Sequence, residues 1–135
     1  MRYLTPRLDG QASFVIVDNG QPVPGLAAND AGLWGSAQNQ SQYAQRSGAG
    51  VDAHGNLIDV GGLNLTLQAL AAAMTQAKVV RGMEREIHSD LVSFASWAPS
   101  SPGHVSPTKL LPDMTRAANR YLAADQRDFF YVTLR

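Results

Sequence analysis

The sequence predicts an α+β protein with a mixed, mostly antiparallel sheet, one main amphipathic helix and long loops rich in Gly and Pro. Short runs of β-branched and aromatic residues lie between turn signals, as is typical of strands. One stretch, at about residues 65–78, repeats apolar residues at helical spacing. The chain contains 12 Gly and 7 Pro and only 16% charged residues, which favours a loop-rich fold over a helical bundle.

Length and charge limit the domain count and the partners. A chain of 135 residues predicts a single domain over residues 1–135. The 11 basic residues balance 11 acidic ones without a run of Lys or Arg, so nucleic acid is not expected as a partner. The chain has no cysteine, which excludes disulfides, zinc thiolate sites and a cysteine nucleophile.

The compartment is left unknown by the sequence. Arg2, Pro6 and Arg7 interrupt the apolar core that a secretory signal peptide needs, so no signal peptide is predicted. The longest apolar-rich stretch, Leu67–Met74, is much shorter than the roughly 20 residues of a membrane-spanning helix. We therefore expect no membrane span.

The first predicted strand, Ser13–Val17, is followed by a turn at Asp18–Gly20. From Gln21 to Gly48 the sequence is dominated by turn-forming and small polar residues, which predicts a long loop. Long loops in compact domains are often functional, so this one either lines a site or is a plain excursion. Trp34 is its large apolar anchor.

A β-hairpin is predicted over Gly50–Val60. Two short strand-like pieces flank a polar turn that contains Gly55, a residue able to adopt a positive φ. Gly61 and Gly62 are expected to end the hairpin.

The amphipathic helix follows this hairpin. Asn64 or Thr66 is expected to cap its first turn, and the helix is expected to end near Lys78. Its apolar face consists of residues at helical spacing, namely Leu67, Leu70, Ala71, Met74 and Ala77.

The remaining chain predicts three strands separated by loops. Val79–Ile87 is expected to be a strand that becomes polar at its end, and Leu91–Trp97 a second one. Pro99–Pro107 has the composition of a loop. Met114–Leu122 predicts one or two helical turns, and Asp128–Leu134 a last strand rich in aromatic and β-branched residues.

The order of motifs between Arg46 and Phe94 is informative. Arg46-Ser47 precedes the hairpin, a Leu-Thr-Leu helix start follows it, and the next strand ends in Met83–Ser89, MEREIHS. This succession resembles the phosphodiester glycosidase domain, the family of the lysosomal uncovering enzyme. That family has an RT-x-x-G-x-D-x-D-G hairpin and, in an actinobacterial-type branch, a strand that ends in M-E-L-D-I-N-P. Flanking segments are also similar to this branch, so the resemblance covers most of the chain after Val17.

The resemblance implies hydrolysis of a sugar-1-phosphodiester at its glycosidic bond, without a metal or cofactor. It identifies residues 1–135 with the C-terminal part of the family domain, because the early N-G-G-F segment has no counterpart. Family members are often secreted or lumenal. The acidic motif also differs, with Arg85, Glu86, His88 and Ser89 in place of the family's Leu, Asp, Asn and Pro.

These departures leave three functional hypotheses open. The chain is an active glycosidase, a glycosyl-phosphate or carbohydrate binding module with impaired catalysis, or a truncated family member. In the last case, unpaired sheet edges would favour a homo-oligomer.

The candidate catalytic residues are Glu86 and Glu84. The resemblance places Glu86 at the family's acidic position, as acid or base, with Glu84 orienting the sugar or tuning the pKa of Glu86. A regular strand would put both on one face, about 6.6 Å apart along the strand, between the usual retaining and inverting separations. Alternatively, both are solvated charges paired with Arg81 or Arg85.

Three further residues are candidates for substrate binding. Arg46 is the first choice for the phosphate, because a departing phosphate needs charge neutralisation. His88 either replaces the family's Asn at the substrate or is a surface residue. Asp52 either stabilises its own turn through side-chain hydrogen bonds or supplies a second carboxylate. The three histidines are scattered, so no metal site is predicted.

Overall fold

The computed structural model describes residues 15–28, 34, 43–86, 92–124 and 133, with Glu86 described by its backbone alone. These residues confirm the α+β class. The chain divides into two compact units, Met1–Val92 and Ser93–Arg135. The single domain predicted over residues 1–135 stays a prediction.

The first unit contains a five-stranded sheet with the strand order β2-β1-β5-β3-β4. Each neighbouring pair is antiparallel. Its elements are β1 (Val15–Asp18), β2 (Gln21–Pro22), β3 (Ala44–Val51), β4 (Leu57–Leu65), helix α1 (Leu67–Gln76) and β5 (Arg81–Glu86).

Strand β1 confirms the predicted strand from Val15 to Val17 and extends it to Asp18, while Ser13 and Phe14 lie outside the described residues. Asn19 and Gly20 both have positive φ, 50° and 72°, as the two-residue turns of tight hairpins require. This turn pairs β1 with β2. The short β2 is thus a strand at the start of the predicted loop.

The prediction of a loop from Gln21 to Gly48 is wrong at its end, because β3 begins at Ala44. Strand β3 lies between β4 and β5 and is buried over most of its length. Its sequence, AQRSGAGV, lacks alternating large apolar residues. The helix side of β3 has no room for them, because a Cβ atom on Gly48 or Gly50 would come too close to neighbouring atoms. The alternation of apolar residues that usually identifies a strand is therefore missing.

The predicted hairpin is confirmed as the pair β3–β4, but it is longer than expected. Gly61 and Gly62 lie within β4 and do not end it. Between Ala44 and Arg46 the register shifts, and Asn64 on β4 has a φ of 51° at this bulge. Asn64 therefore bends β4 instead of capping the helix.

Helix α1 confirms the predicted amphipathic helix. The Thr66 hydroxyl accepts a hydrogen bond from the Ala69 backbone N–H at 3.1 Å and so caps the first turn. Lys78 has a φ of 69°, a left-handed conformation that commonly ends a helix. Ala77, predicted on the apolar face, is instead the exposed C-cap of the helix. The other residues of that face join a core that consists of Ile16, Val17, Leu26, Trp34, Leu67, Leu70, Ala71, Met74 and Val79.

The second unit contains an antiparallel hairpin of β6 (Ala95–Ser101) and β7 (His104–Lys109), followed by a 3-10 turn at Arg120–Leu122. The loop predicted over Pro99–Pro107 is therefore wrong. The predicted strand Leu91–Trp97 is also displaced, since β6 begins at Ala95. Both strands are largely exposed, so they lack the apolar alternation by which a half-buried strand is identified.

The remaining predictions concern the end of the chain, membrane crossing and oligomeric state. The helical turn predicted within Met114–Leu122 is confirmed as the 3-10 turn. The strand predicted over Asp128–Leu134 lies outside the described residues, apart from Thr133. No helix within the described ranges is long and apolar enough to cross a membrane. The homo-oligomer stays a prediction.

Candidate functional site

The side of the central sheet that faces α1 is tightly packed. A Cβ atom on Gly48 would lie 2.6 Å from the Met74 sulfur, and one on Gly50 would lie 2.7 Å from the Arg81 carbonyl oxygen. Because side chains alternate along a strand, Arg46 lies on the same side of β3 as these two glycines. Arg46 is the large charged residue that this side accommodates.

Arg46 and Glu84 form a buried ion pair on this side. The Arg46 Nη1 donates a hydrogen bond to Glu84 Oε1 at 2.6 Å, and the Arg46 Nε donates to the Leu65 carbonyl oxygen at 2.9 Å. The Arg46 side chain is 0% exposed and that of Glu84 is 4% exposed. The pair therefore joins two central strands and the end of β4, out of contact with solvent.

A bulge in β5 separates Glu84 from Glu86. Gly48 pairs with Glu84, whereas the preceding residue, Ser47, pairs with Glu86, so Arg85 is the extra residue on β5. The regular alternation used to place Glu84 and Glu86 on one face is therefore interrupted. The backbone of Glu86 lies beside Ser47, while its side chain is outside the described atoms.

The opposite side of β3 carries Gln45 and Ser47, each 6% exposed. Gln45 Nε2 is buried without a hydrogen-bond partner. On this side Arg85 Nη1 donates to Asp59 Oδ2 at 2.6 Å, with side chains 32% and 12% exposed. Burial raises the pKa of the Asp59 carboxyl above its ordinary value, although the Arg85 charge and hydrogen bond oppose the shift.

Asp52 stabilises the β3–β4 turn, the first of its two predicted roles. Its Oδ1 accepts hydrogen bonds from the backbone N–H groups of His54 and Asn56, and its Oδ2 accepts one from Asn56 Nδ2, all at 2.8 Å. The Asn56 side-chain bond, then the backbone bonds, lower the pKa of the Asp52 carboxyl. His54 lies in the same turn, 85% exposed.

The last substrate-binding candidate is His88. His88 and Ser89 lie outside the described residues. Across the described ranges, no group of three or more His, Cys, Asp or Glu side chains could hold a metal ion.

Sequence reasoning identified Arg46 and Glu84 but not their contact. The alternative to a catalytic role paired Glu84 with Arg81 or Arg85, which belong to the same strand. The signal for the observed pair was the single charge in β3, because a lone Arg among small residues of a central strand needs a buried acceptor. Gln45 was missed because nothing in the sequence marked residues 44–48 as a strand.

Comparisons with known proteins give no functional assignment. Neither the scan of protein families nor the search of curated proteins finds a match. Among solved structures, the chain is similar to one described as "Crystal structure of a hypothetical protein from Synechocystis", with 28% sequence identity and a TM-score of 0.47. The match covers 56% of this chain and 15% of the Synechocystis chain, so it spans only a small part of that protein.

Proposed function

We propose that this chain carries part of a site that hydrolyses a sugar-1-phosphodiester at its glycosidic bond. The single observation that supports this is the buried Arg46–Glu84 pair next to the position where the Glu86 backbone pairs with Ser47. Arg46-Ser47 and Glu86 stand at the matching positions of the phosphodiester glycosidase motifs. The pair fixes the two strands that carry these motifs side by side.

In this proposal the three charged residues have different roles. Arg46 and Glu84 are positioning residues, because both are buried and hydrogen-bonded within the protein. This departs from the expectation that Arg46 contacts the phosphate directly. Glu86 is the acid or base, as its place in the motif suggests.

The reaction breaks the bond between the sugar C1 and the phosphate oxygen. A water oxygen adds to C1, a base takes one proton from the water, and the phosphate monoester departs as an anion. Because that anion is already stable, the leaving group needs little protonation. A single carboxylate that activates water would therefore supply much of the required chemistry.

The test uses the methyl ester of N-acetyl-α-glucosamine 1-phosphate in water enriched in oxygen-18. We expect release of methyl phosphate, with the heavy oxygen on the sugar. The rate of the Glu86→Gln variant should be lower by at least about 100-fold, which is the lower limit of the usual contribution of general acid–base catalysis. Asp113→Asn, which changes an exposed carboxylate in the second unit, is the matched control and should keep full activity.

A second candidate is a module that binds glycosyl phosphates without cleaving them. It is favoured by the burial of Arg46 and Glu84 and by the hydrogen bond between them, which keep both charged groups away from the bond that a hydrolase would break. Saturable binding of the methyl ester with no release of sugar, even at high protein concentration, would support the module and exclude the hydrolase. Absence of both binding and turnover would exclude both functions.

A further inference from the structure

Among the described residues, Gln45 has a buried side-chain nitrogen, Nε2, that makes no hydrogen bond. Its side chain lies in β3 with 6% of the residue exposed, and its Nε2 atom has no partner. An amide nitrogen carries two N–H donors, and folded proteins pair nearly all such buried groups. The unpaired amide therefore destabilises this state of the protein compared with an apolar side chain of the same size.

The place of this amide connects it with the proposed site. Gln45 directly precedes Arg46, and alternation along β3 puts its side chain on the face opposite the Arg46–Glu84 pair. Ser47 lies two residues further along on the same face and is also buried. Because the backbone of Ser47 pairs with that of Glu86, Gln45 lies two residues along β3 from the position that pairs with the proposed acid or base.

A neutral amide donor is suited to an oxygen acceptor. Hydroxyl oxygens of a sugar and oxygens of a phosphate both accept hydrogen bonds, and neither requires a charged partner. A ligand that supplies such an oxygen would satisfy Nε2 and remove the penalty of its burial. Binding would then be strengthened by a bond that the free protein lacks.

We propose that Gln45 is a ligand-binding residue whose Nε2 donates a hydrogen bond to an oxygen of a sugar-1-phosphate. This inference rests on the proposed function, and it assigns the binding side of β3 to the face that carries Gln45 and Ser47. Arg46 and Glu84 then support the site from behind the strand.

The test compares Gln45→Met with the whole unaltered chain. Methionine has a similar length and no N–H donor, so the variant should melt at a higher temperature than the parent. Its affinity for N-acetyl-α-glucosamine 1-phosphate, measured by calorimetry, should fall about threefold to tenfold, as expected for one neutral hydrogen bond. Gln76→Met, at an exposed position of α1, is the matched control and should leave affinity unchanged.

Two further ligands identify the acceptor. If inorganic phosphate binds and shows the same loss in Gln45→Met, the acceptor is a phosphate oxygen. If only N-acetylglucosamine shows the loss, the acceptor is a sugar oxygen.

The failures of this inference and of the proposed function are distinct. Equal affinity of Gln45→Met and the parent for N-acetyl-α-glucosamine 1-phosphate would overturn the role of Gln45 and leave the proposed function intact. A Gln45→Met variant that does not fold would also overturn it, because the amide would then be needed for folding and not only for binding. If the parent binds none of N-acetyl-α-glucosamine 1-phosphate, inorganic phosphate and N-acetylglucosamine, the ligand class is wrong. Both the role of Gln45 and the proposed function would then be rejected.

Discussion

Two ion pairs of the same length lie on opposite sides of the five-stranded sheet. Arg46–Glu84 and Arg85–Asp59 both measure 2.6 Å, but the first is enclosed on the helix side and the second is partly open to solvent. The N–O distance alone therefore does not determine how much each ion pair contributes to the stability of the fold. Removing one partner of an enclosed pair leaves an uncompensated charge, whereas water can replace part of an open pair.

Arg46→Met should have the largest effect and tests the enclosed pair directly. We expect the free energy of unfolding to fall by about 3–5 kcal/mol, because Glu84 would be left buried without its Arg partner. Urea unfolding provides the measurement. The double variant Arg46→Met/Glu84→Met should recover most of the loss. A loss below about 1 kcal/mol in the single variant would show that the pair is hydrated.

Gly50→Ala should have a smaller effect and tests how little space the helix side offers. The added Cβ would collide with the Val79 Cγ1 and lie 2.7 Å from the Arg81 carbonyl oxygen, so the backbone must shift. We expect a loss of about 1–3 kcal/mol by thermal unfolding, as for other overpacked cores. Ala49→Ser adds one atom on the half-buried opposite side and should cost less. Equal losses of stability in the two variants would contradict the proposal that the helix side of β3 has less free space than the opposite side.

Arg85→Met should have the smallest effect, about 1 kcal/mol at neutral pH, and its size should depend on pH. Since burial raises the folded-state pKa of Asp59 above 3.8, stability falls as the pH rises from about 3.8 through the folded-state pKa, then levels off. Without Arg85 that pKa should rise further, and the decline should extend to higher pH.

Below the unfolded-state pKa of Asp59, the Arg85→Met variant should be close to the parent in stability, because Asp59 is then neutral in both. Urea unfolding over a pH series from acid to neutral measures this difference. A loss that is the same at every pH would mean that Arg85 acts through packing and not through the charge of Asp59.

The sequence predicted the elements whose apolar residues follow a clear period. Helix α1 has such a stripe and a Thr cap, and the β1–β2 turn has the Asn-Gly pair that its dihedral angles require. Strands β3 and β6 were missed for opposite reasons. Space on the helix side of β3 allows only small residues or Arg46, whereas β6 is too exposed to need apolar alternation.

The sequence predicted which residues belong to the candidate site but not how they contact one another. Arg46 and Glu84 were identified by residue type and motif, yet their contact depends on β3 and β5 being neighbours. Strand order is a long-range property that local patterns do not encode. The bulge at Arg85 is equally hidden, because one extra residue in a strand changes the pairing without changing composition.

The central position of β5 also determines the order in which this unit can form. Strands β3, β4 and β5 and helix α1 are contiguous in the chain, so their pairing closes only short loops. Strand β1 pairs with β5, although β2, β3, β4 and α1 all lie between these two strands in the sequence. During synthesis on the ribosome, β1 therefore emerges first but completes its place in the sheet only after β5 has emerged.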